Sequence, residues 1–152
     1  MVIDHLPNRP QHVETVARWI YQEFGGNTSF NLIEITDFFA KRRTDKPPIT
    51  LIATDGDTCL GTVSLFEGDL DTRRDLTPWL AALYVDQPYR NQRIGNILTG
   101  EIITIARNPG YPTLYLRTEH AAGYYRKRNW ELVCRTQDGK GIDTEVYQFT
   151  LI

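Results

Sequence analysis

Apolar residues recur along the chain with two different periods, and each change of period marks an element. Val2 to Leu6 reads as a short strand, stopped by Pro7-Asn8-Arg9-Pro10. Val13, Val16, Ala17, Ile20, Tyr21 and Phe24 fall at helical spacing and predict a first helix, which Gly25-Gly26 ends. Phe30, Ile33, Phe38 and Phe39 predict a second, capped by Thr28 or Ser29 and finishing in the cations Lys41-Arg42-Arg43. Beyond Pro47-Pro48 the pattern turns β-branched. Ile49 to Thr54 and Cys59 to Phe66 predict two strands around a hairpin turn at Asp55-Gly56-Asp57.

Trp79 to Val85 is an apolar run of strand formers with the length of a buried strand. Pro88 excludes further pairing. A polar loop follows from Tyr89 to Gly95, and Ile94, Ile97, Leu98, Ile102 and Ile105 return to helical spacing. Asn108-Pro109-Gly110 breaks that helix. Thr113 to Arg117 predicts a strand and Ala121 to Arg128 a short helix. Leu132 to Arg135 and Val146 to Leu151 predict two last strands, joined by a loop that includes Gln137-Asp138-Gly139-Lys140-Gly141. A central strand, helix and next strand make a parallel crossover with hairpins beside it, so a mixed sheet covered by helices is the expected packing. No repeat, low-complexity tract or linker interrupts this order.

Composition narrows the function classes. The 152 residues are 41% apolar and 24% charged, with a net charge of −2, which fits one soluble domain with a sizeable core. A nucleic-acid binder is expected to carry a basic surplus, and none exists here. No apolar run approaches the roughly 18 residues of a membrane helix, and Met-Val-Ile-Asp-His-Leu does not read as a signal peptide. Cys59 and Cys134 are too far apart in sequence to suggest a metal or redox motif and read as reduced, half-buried strand residues. A cytoplasmic location follows as an expectation.

The candidate chemistry lies after the central strand. A helix start presents backbone N–H groups without internal partners, and its dipole favours an anion. Gly95 permits close approach to the backbone, and Arg90 and Arg93 add positive charge there. These residues alone equally describe an ordinary strand, a solvated basic turn and a helix.

Two stretches carry a resemblance that separates those readings. Val85, Pro88, Tyr89, Arg90, Ile94 and Gly95 resemble motif A of the GNAT superfamily of N-acetyltransferases, with Arg93 where the family's first glycine usually sits. Ala121-Ala122-Gly123-Tyr124-Tyr125-Arg126-Lys127-Arg128-Asn129-Trp130-Glu131 resembles the family's late helix, with Asn129 in place of a glycine. Asn and Gly both tolerate a left-handed helix end. The phrase Asp69-Leu70-x-Thr72-x-x-Asp75-Leu76-x-Pro78-Trp79-Leu80-Ala81 further resembles a bacterial subgroup of the superfamily, which implies no substrate.

The resemblance implies the GNAT fold over residues 1–152 as a single domain: about seven strands, mostly antiparallel, about four helices, and a splay between the two parallel central strands at residues 79–85 and 113–118. It implies acetyl transfer from acetyl-CoA, as co-substrate and without metal, to a primary amine of a small molecule or protein. Leu83, Tyr84 and Val85 would pair with the pantetheine arm, as an added strand does. Arg90, Asn91, Gln92, Arg93, Ile94, Gly95 and Asn96 would hold the pyrophosphate. Thr118 stands where many members have an asparagine that touches the cofactor. A backbone N–H near Leu83 or Tyr84 would polarise the thioester, and Tyr125 would protonate the leaving thiolate. Tyr124 and Trp130 are expected in the core.

A base is harder to place. Many members carry Glu or His on the central strand, where this chain has Trp79, Leu80 and Ala81. Asp75 and Glu119 are the leading candidates, with Asp69 and His120 behind them, and each also suits a solvated loop charge or a helix cap. The missing strand-borne base keeps open a non-catalytic acyl-CoA-binding or regulatory module. Four acids in the 67–75 loop, Glu67, Asp69, Asp71 and Asp75, face Arg73 and Arg74 and would favour a cationic amine if they border the acceptor. Trp19, Trp79 and Tyr21 could line an apolar part of that pocket or lie in the core. No nucleic-acid or membrane partner is expected, and the protein is expected as a monomer or homodimer.

Overall fold

The strand read at Trp79 to Val85 forms with those bounds, and it carries a break. In the computed structural model, which describes residues 1–25, 29–41 and 43–152, this strand (β4, Trp79–Val85) contains Ala82 with φ +53°. An alanine in the left-handed region costs roughly 1–2 kcal/mol and cannot continue a flat ladder. The chain divides into two compact units, and one of the points where it passes between them falls just before this residue. One holds Met1–Ser64 and Ala82–Ile102, the other Leu65–Ala81 and Ile103–Ile152.

The first unit contains β1 (Val2–His5), α1 (Val13–Phe24), α2 (Leu32–Ala40), β2 (Ile49–Asp55) and most of β3 (Thr58–Phe66). It continues with the second half of β4 and most of α3 (Ile94–Arg107). β1 and β2 pair antiparallel, with Ile3 opposite Ala53, and Gly56 turns the β2–β3 hairpin with φ +58°. Val13, Val16, Ala17 and Trp19 of α1 meet Ile35 and Phe39 of α2, Ile52 of β2 and Cys59 of β3 in one core. Trp19 is buried, and so is Trp79 in the other unit, whereas Tyr21 is largely exposed.

Helix α2 departs from its sequence reading. Its buried residues are Ile35 and Phe39, one turn apart, while Ile33 is 80% exposed and Phe38 lies at the surface. Phe30 precedes the helix. Every position from Leu32 to Phe39 except Glu34, Thr36 and Asp37 is apolar, so the pattern offers several faces and packing against α1 selects one. The cap is Asn31 instead of Ser29. Its side chain accepts the Glu34 N–H at 2.8 Å, and Glu34 Oε1 accepts the Asn31 N–H at 3.1 Å, a reciprocal capping box. Gly26, Thr28 and Arg42, also assigned from sequence, lie outside the described residues. Asn31→Ala is expected to lower stability in urea denaturation by about 1 kcal/mol, and Ser29→Ala to leave it unchanged.

The second unit contains the first half of β4, β5 (Thr113–Thr118), α4 (Ala122–Arg126), β6 (Glu131–Gln137) and β7 (Asp143–Thr150). Trp79 of β4 lies parallel to Tyr115 of β5, and the Tyr115 N–H donates to Pro78 O at 3.0 Å. Trp79 to Tyr115 is the one register pair of this ladder among the described residues. β5 and β6 each pair antiparallel with β7. Trp79, Leu70 and Val146 form the centre of this unit's core, with Tyr115, Leu76, Val133 and Cys134 against them. The seven strands follow the order β1-β2-β3-β4-β5-β7-β6, a mixed sheet with the parallel pair β4–β5 in its middle.

Candidate active site

The second half of β4 presents its backbone in two directions. The Asp86 N–H donates to Leu60 O at 2.9 Å. Tyr84 O lies 2.8 Å from the position that a Cβ on Gly61 would take. Both residues therefore turn their polar groups toward β3, and by strand alternation Leu83 and Val85 turn theirs to the opposite edge. Tyr84 packs its ring on Trp19 at 5.2 Å. The edge groups are thus those of Leu83 and Val85, and the Tyr84 N–H is directed away from it.

The loop after β4 is built by residues with unusual backbone angles. Asp86 caps a short 3-10 turn, Gln87–Tyr89, by accepting the Gln87 N–H at 3.0 Å. Arg90 bends back: its Nε donates to Val85 O at 2.8 Å, and its guanidinium sits 5.4 Å over the Tyr84 ring. Asn91 and Arg93 both have φ +65°. Arg93 thus adopts the angle that a glycine takes without cost, and the loop keeps a left-handed step despite the substitution. Its carbonyl accepts the Ile97 N–H at 3.0 Å and opens α3. Asn91, Gln92, Arg93 and Asn96 are exposed, and Ile94 anchors the turn in the core. A Cβ on Gly95 would touch only Val85 Cγ2, at 3.8 Å. The fold itself leaves room for a side chain there.

In the second unit, α4 ends as its sequence predicts. Asn129 has φ +70°. The Trp130 N–H donates to Tyr125 O at 3.1 Å and the Asn129 N–H to Arg126 O at 3.3 Å, the paired bonds of a left-handed helix stop. Trp130 is buried, and Tyr124 lies at the surface instead of in the core, with Arg128 3.5 Å over its ring. Tyr125 packs edge-on against Trp130 at 5.9 Å and Tyr124 at 5.2 Å. Burial pushes its phenol up to about 12, so it is a proton donor throughout the neutral range. The Thr118 hydroxyl accepts the Ala121 N–H at 2.9 Å and thereby starts the turn into α4.

The candidate bases separate clearly. Both oxygens of Asp75 are held by Arg73, at 3.0 and 2.9 Å, and that bond lowers its pKa, so its affinity for a proton is reduced. Glu119 accepts the Thr144 hydroxyl at 3.1 Å. His120 is exposed. Asp69 is different: burial pushes its carboxyl up to about 6, against the Arg117 guanidinium 3.3 Å away, which lowers it, with Glu119 raising it further. Asp71 pairs with Arg74 at 3.5 Å. Three of the four acids of the 67–75 loop thus already have arginine partners. The loop is also pinned, with the Thr72 hydroxyl donating to Gln137 O at 2.9 Å and Arg73 Nη1 reaching Cys134 Sγ at 3.1 Å. Its charge is a weak argument for a cationic acceptor.

Both cysteines are free. Cys59 is buried, which pushes its thiol up to about 11. Among the described residues no three His, Cys, Asp or Glu side chains gather where a metal could bind, and no helix is long and apolar enough to cross a membrane.

β4 is interrupted at Ala82, a left-handed step at Arg93 leads into α3, and α4 carries Tyr125. Residues 13–130 match the model of the acetyltransferase (GNAT) family, and the chain belongs to that family. Solved structures of similar fold include an aminoglycoside 6'-N-acetyltransferase complexed with coenzyme A, at TM-score 0.80 and 16% identity over 100% of this chain and 98% of that one. A ribosomal-protein-alanine N-acetyltransferase from Brucella melitensis aligns at TM-score 0.76 and 19% identity, over 99% of each chain. Ard1 from Thermoplasma volcanium aligns at TM-score 0.74 and 13% identity, over 99% of this chain and 97% of that one. No curated protein matches the sequence significantly.

Proposed function

We propose that residues 1–152 act as one N-acetyltransferase domain that moves the acetyl group of acetyl-CoA to a primary amine of a small molecule or protein. The observation that carries this reading is the break of β4 at Ala82, after which Leu83 and Val85 turn their backbone groups to the edge away from β3. That edge fits a peptide-like pantetheine arm as an added strand would.

Bound there, acetyl-CoA supplies an activated acyl carbon. The Leu83 N–H, in preference to that of Tyr84, donates to the thioester oxygen, an interaction worth roughly 3 kcal/mol in comparable oxyanion sites. Backbone N–H groups between Asn91 and Asn96 receive the pyrophosphate, with the Arg93 side chain adding charge and Gly95 leaving space. Arg90 contributes by closing the end of β4 on Val85 O. Thr118 starts the turn that carries Tyr125, and the Tyr125 hydroxyl protonates the departing sulfur.

Thiol release from acetyl-CoA over a panel of amines tests this. The panel would hold an aminoglycoside, a peptide with N-terminal alanine, a lysine peptide and spermidine. Turnover with at least one acceptor is expected. Saturable CoA binding without turnover on any amine would favour a non-catalytic acyl-CoA-binding module.

A further inference from the structure

No residue of β4 can accept a proton before the break, yet a carboxylate of the β3–β4 loop is paired with an arginine of β5, the strand beside it. Trp79 and Tyr115 lie opposite one another with their rings 5.9 Å apart, so their side chains share a face of the sheet. Two residues on along each strand, Ala81 and Arg117 return to that same face by strand alternation. Ala81 is buried and small. Arg117 is mostly withdrawn from solvent: its side chain retains 22% exposure, its Nε holds Asp69 Oδ2 at 3.3 Å, and its Nη1 lies 4.0 Å from Asp138 Oδ2. Asp138 is fixed in turn by accepting the N–H groups of Lys140 and Ile142. Asp69, 23% exposed, is thus held by a guanidinium whose residue shares a sheet face with Ala81, and Ala81 stands two residues before Leu83 in the chain.

We infer that Asp69 is the general base of the acetyl transfer, delivered from the β3–β4 loop by Arg117 in place of a carboxylate on the central strand. This rests on the acetyltransferase reading above. The carboxylate takes a proton from the acceptor's ammonium group. The freed nitrogen lone pair forms the N–C bond as the C–S bond breaks. The nitrogen sheds two protons on its way to the amide. One passes through Asp69 to solvent, and the other balances the proton that the sulfur receives from Tyr125. Arg117 is a positioning residue: it aims Asp69 and keeps it ionised against burial and the charge of Glu119.

The sign of the pH dependence follows. Above about pH 6 Asp69 is ionised and can accept a proton, and below it the base is lost. For wild type, kcat/KM toward the best ammonium acceptor of the panel is expected to fall through that value. Asp69→Asn is expected to lose about 100-fold on that acceptor, and much less on an aromatic amine, which is neutral at the assay pH. Arg117→Met removes a charge that lowers the Asp69 pKa, so its acid limb should move to higher pH. Circular dichroism and CoA titration of both variants report on folding. A flat wild-type profile across pH 6 overturns the inference without any variant. So does a folded Asp69→Asn protein that matches wild type or loses equally on both kinds of amine. A wild type inert toward every amine overturns the acetyltransferase reading itself, and this inference with it.

Discussion

Tyr125→Phe is expected to lower kcat about a thousandfold while the Kd for acetyl-CoA changes little. The substitution removes one oxygen and keeps the ring that packs edge-on against Trp130 and Tyr124. The backbone bonds that fix residue 125, from the N–H groups of Arg128 and Trp130 to its carbonyl, do not involve the side chain. The lost property is therefore proton donation. A phenol raised to about 12 is a weaker acid than a free tyrosine, but the desolvation that raises it also raises a thiolate placed beside it, so donor and acceptor stay matched. Steady-state thiol release, read alongside calorimetric titration of CoA, separates the two effects. Full activity in the variant would leave Tyr125 a packing residue.

The elements around this chemistry were legible where a local rule acts on neighbouring residues. β4 and the start of α3 follow from a short apolar run, Pro88 and a return to helical spacing. The left-handed angle at Asn129 follows from Asn occupying a position that needs positive φ. Legibility fails where several local choices are nearly equal and packing decides. α2 could have buried Ile33 and Phe38, but it buries Ile35 and Phe39 because these meet α1. Nothing in Ala81-Ala82 announces that one alanine will hold φ +53°, since no glycine marks the spot. The pair Asp69–Arg117 joins residues 48 apart in sequence, so its members read separately as a loop acid and a strand cation. Asp75 and Glu119 lead the candidates from sequence, yet Asp69 stands in the same stretch as Asp75 and no local rule sets one above the other. Burial, which decides proton affinity, is not encoded at that range.

Gly61→Ala is expected to cost about 3 kcal/mol of folding stability, at the upper end of overpacking effects, and to weaken CoA binding as well. The new Cβ would lie 2.8 Å from Tyr84 O, 3.3 Å from Leu98 Cδ1 and 3.4 Å from Val85 Cα. A leucine methyl can swing aside, but a carbonyl and a Cα move only if the strand moves. The strand that must give is β4 after its break, the stretch whose Leu83 and Val85 edge is proposed to receive the pantetheine arm. A loss of that size shifts the folding equilibrium about 100-fold, which urea denaturation resolves. Gly100→Ala is the control: a Cβ there meets nothing within 4 Å, and an alanine inside α3 should stabilise by up to about 1 kcal/mol. CoA titration under conditions where Gly61→Ala remains folded distinguishes a displaced edge from a merely weaker fold. If affinity is unchanged there, the Leu83–Val85 edge is not where the arm binds, because the same methyl cannot spare the edge and still disturb Tyr84.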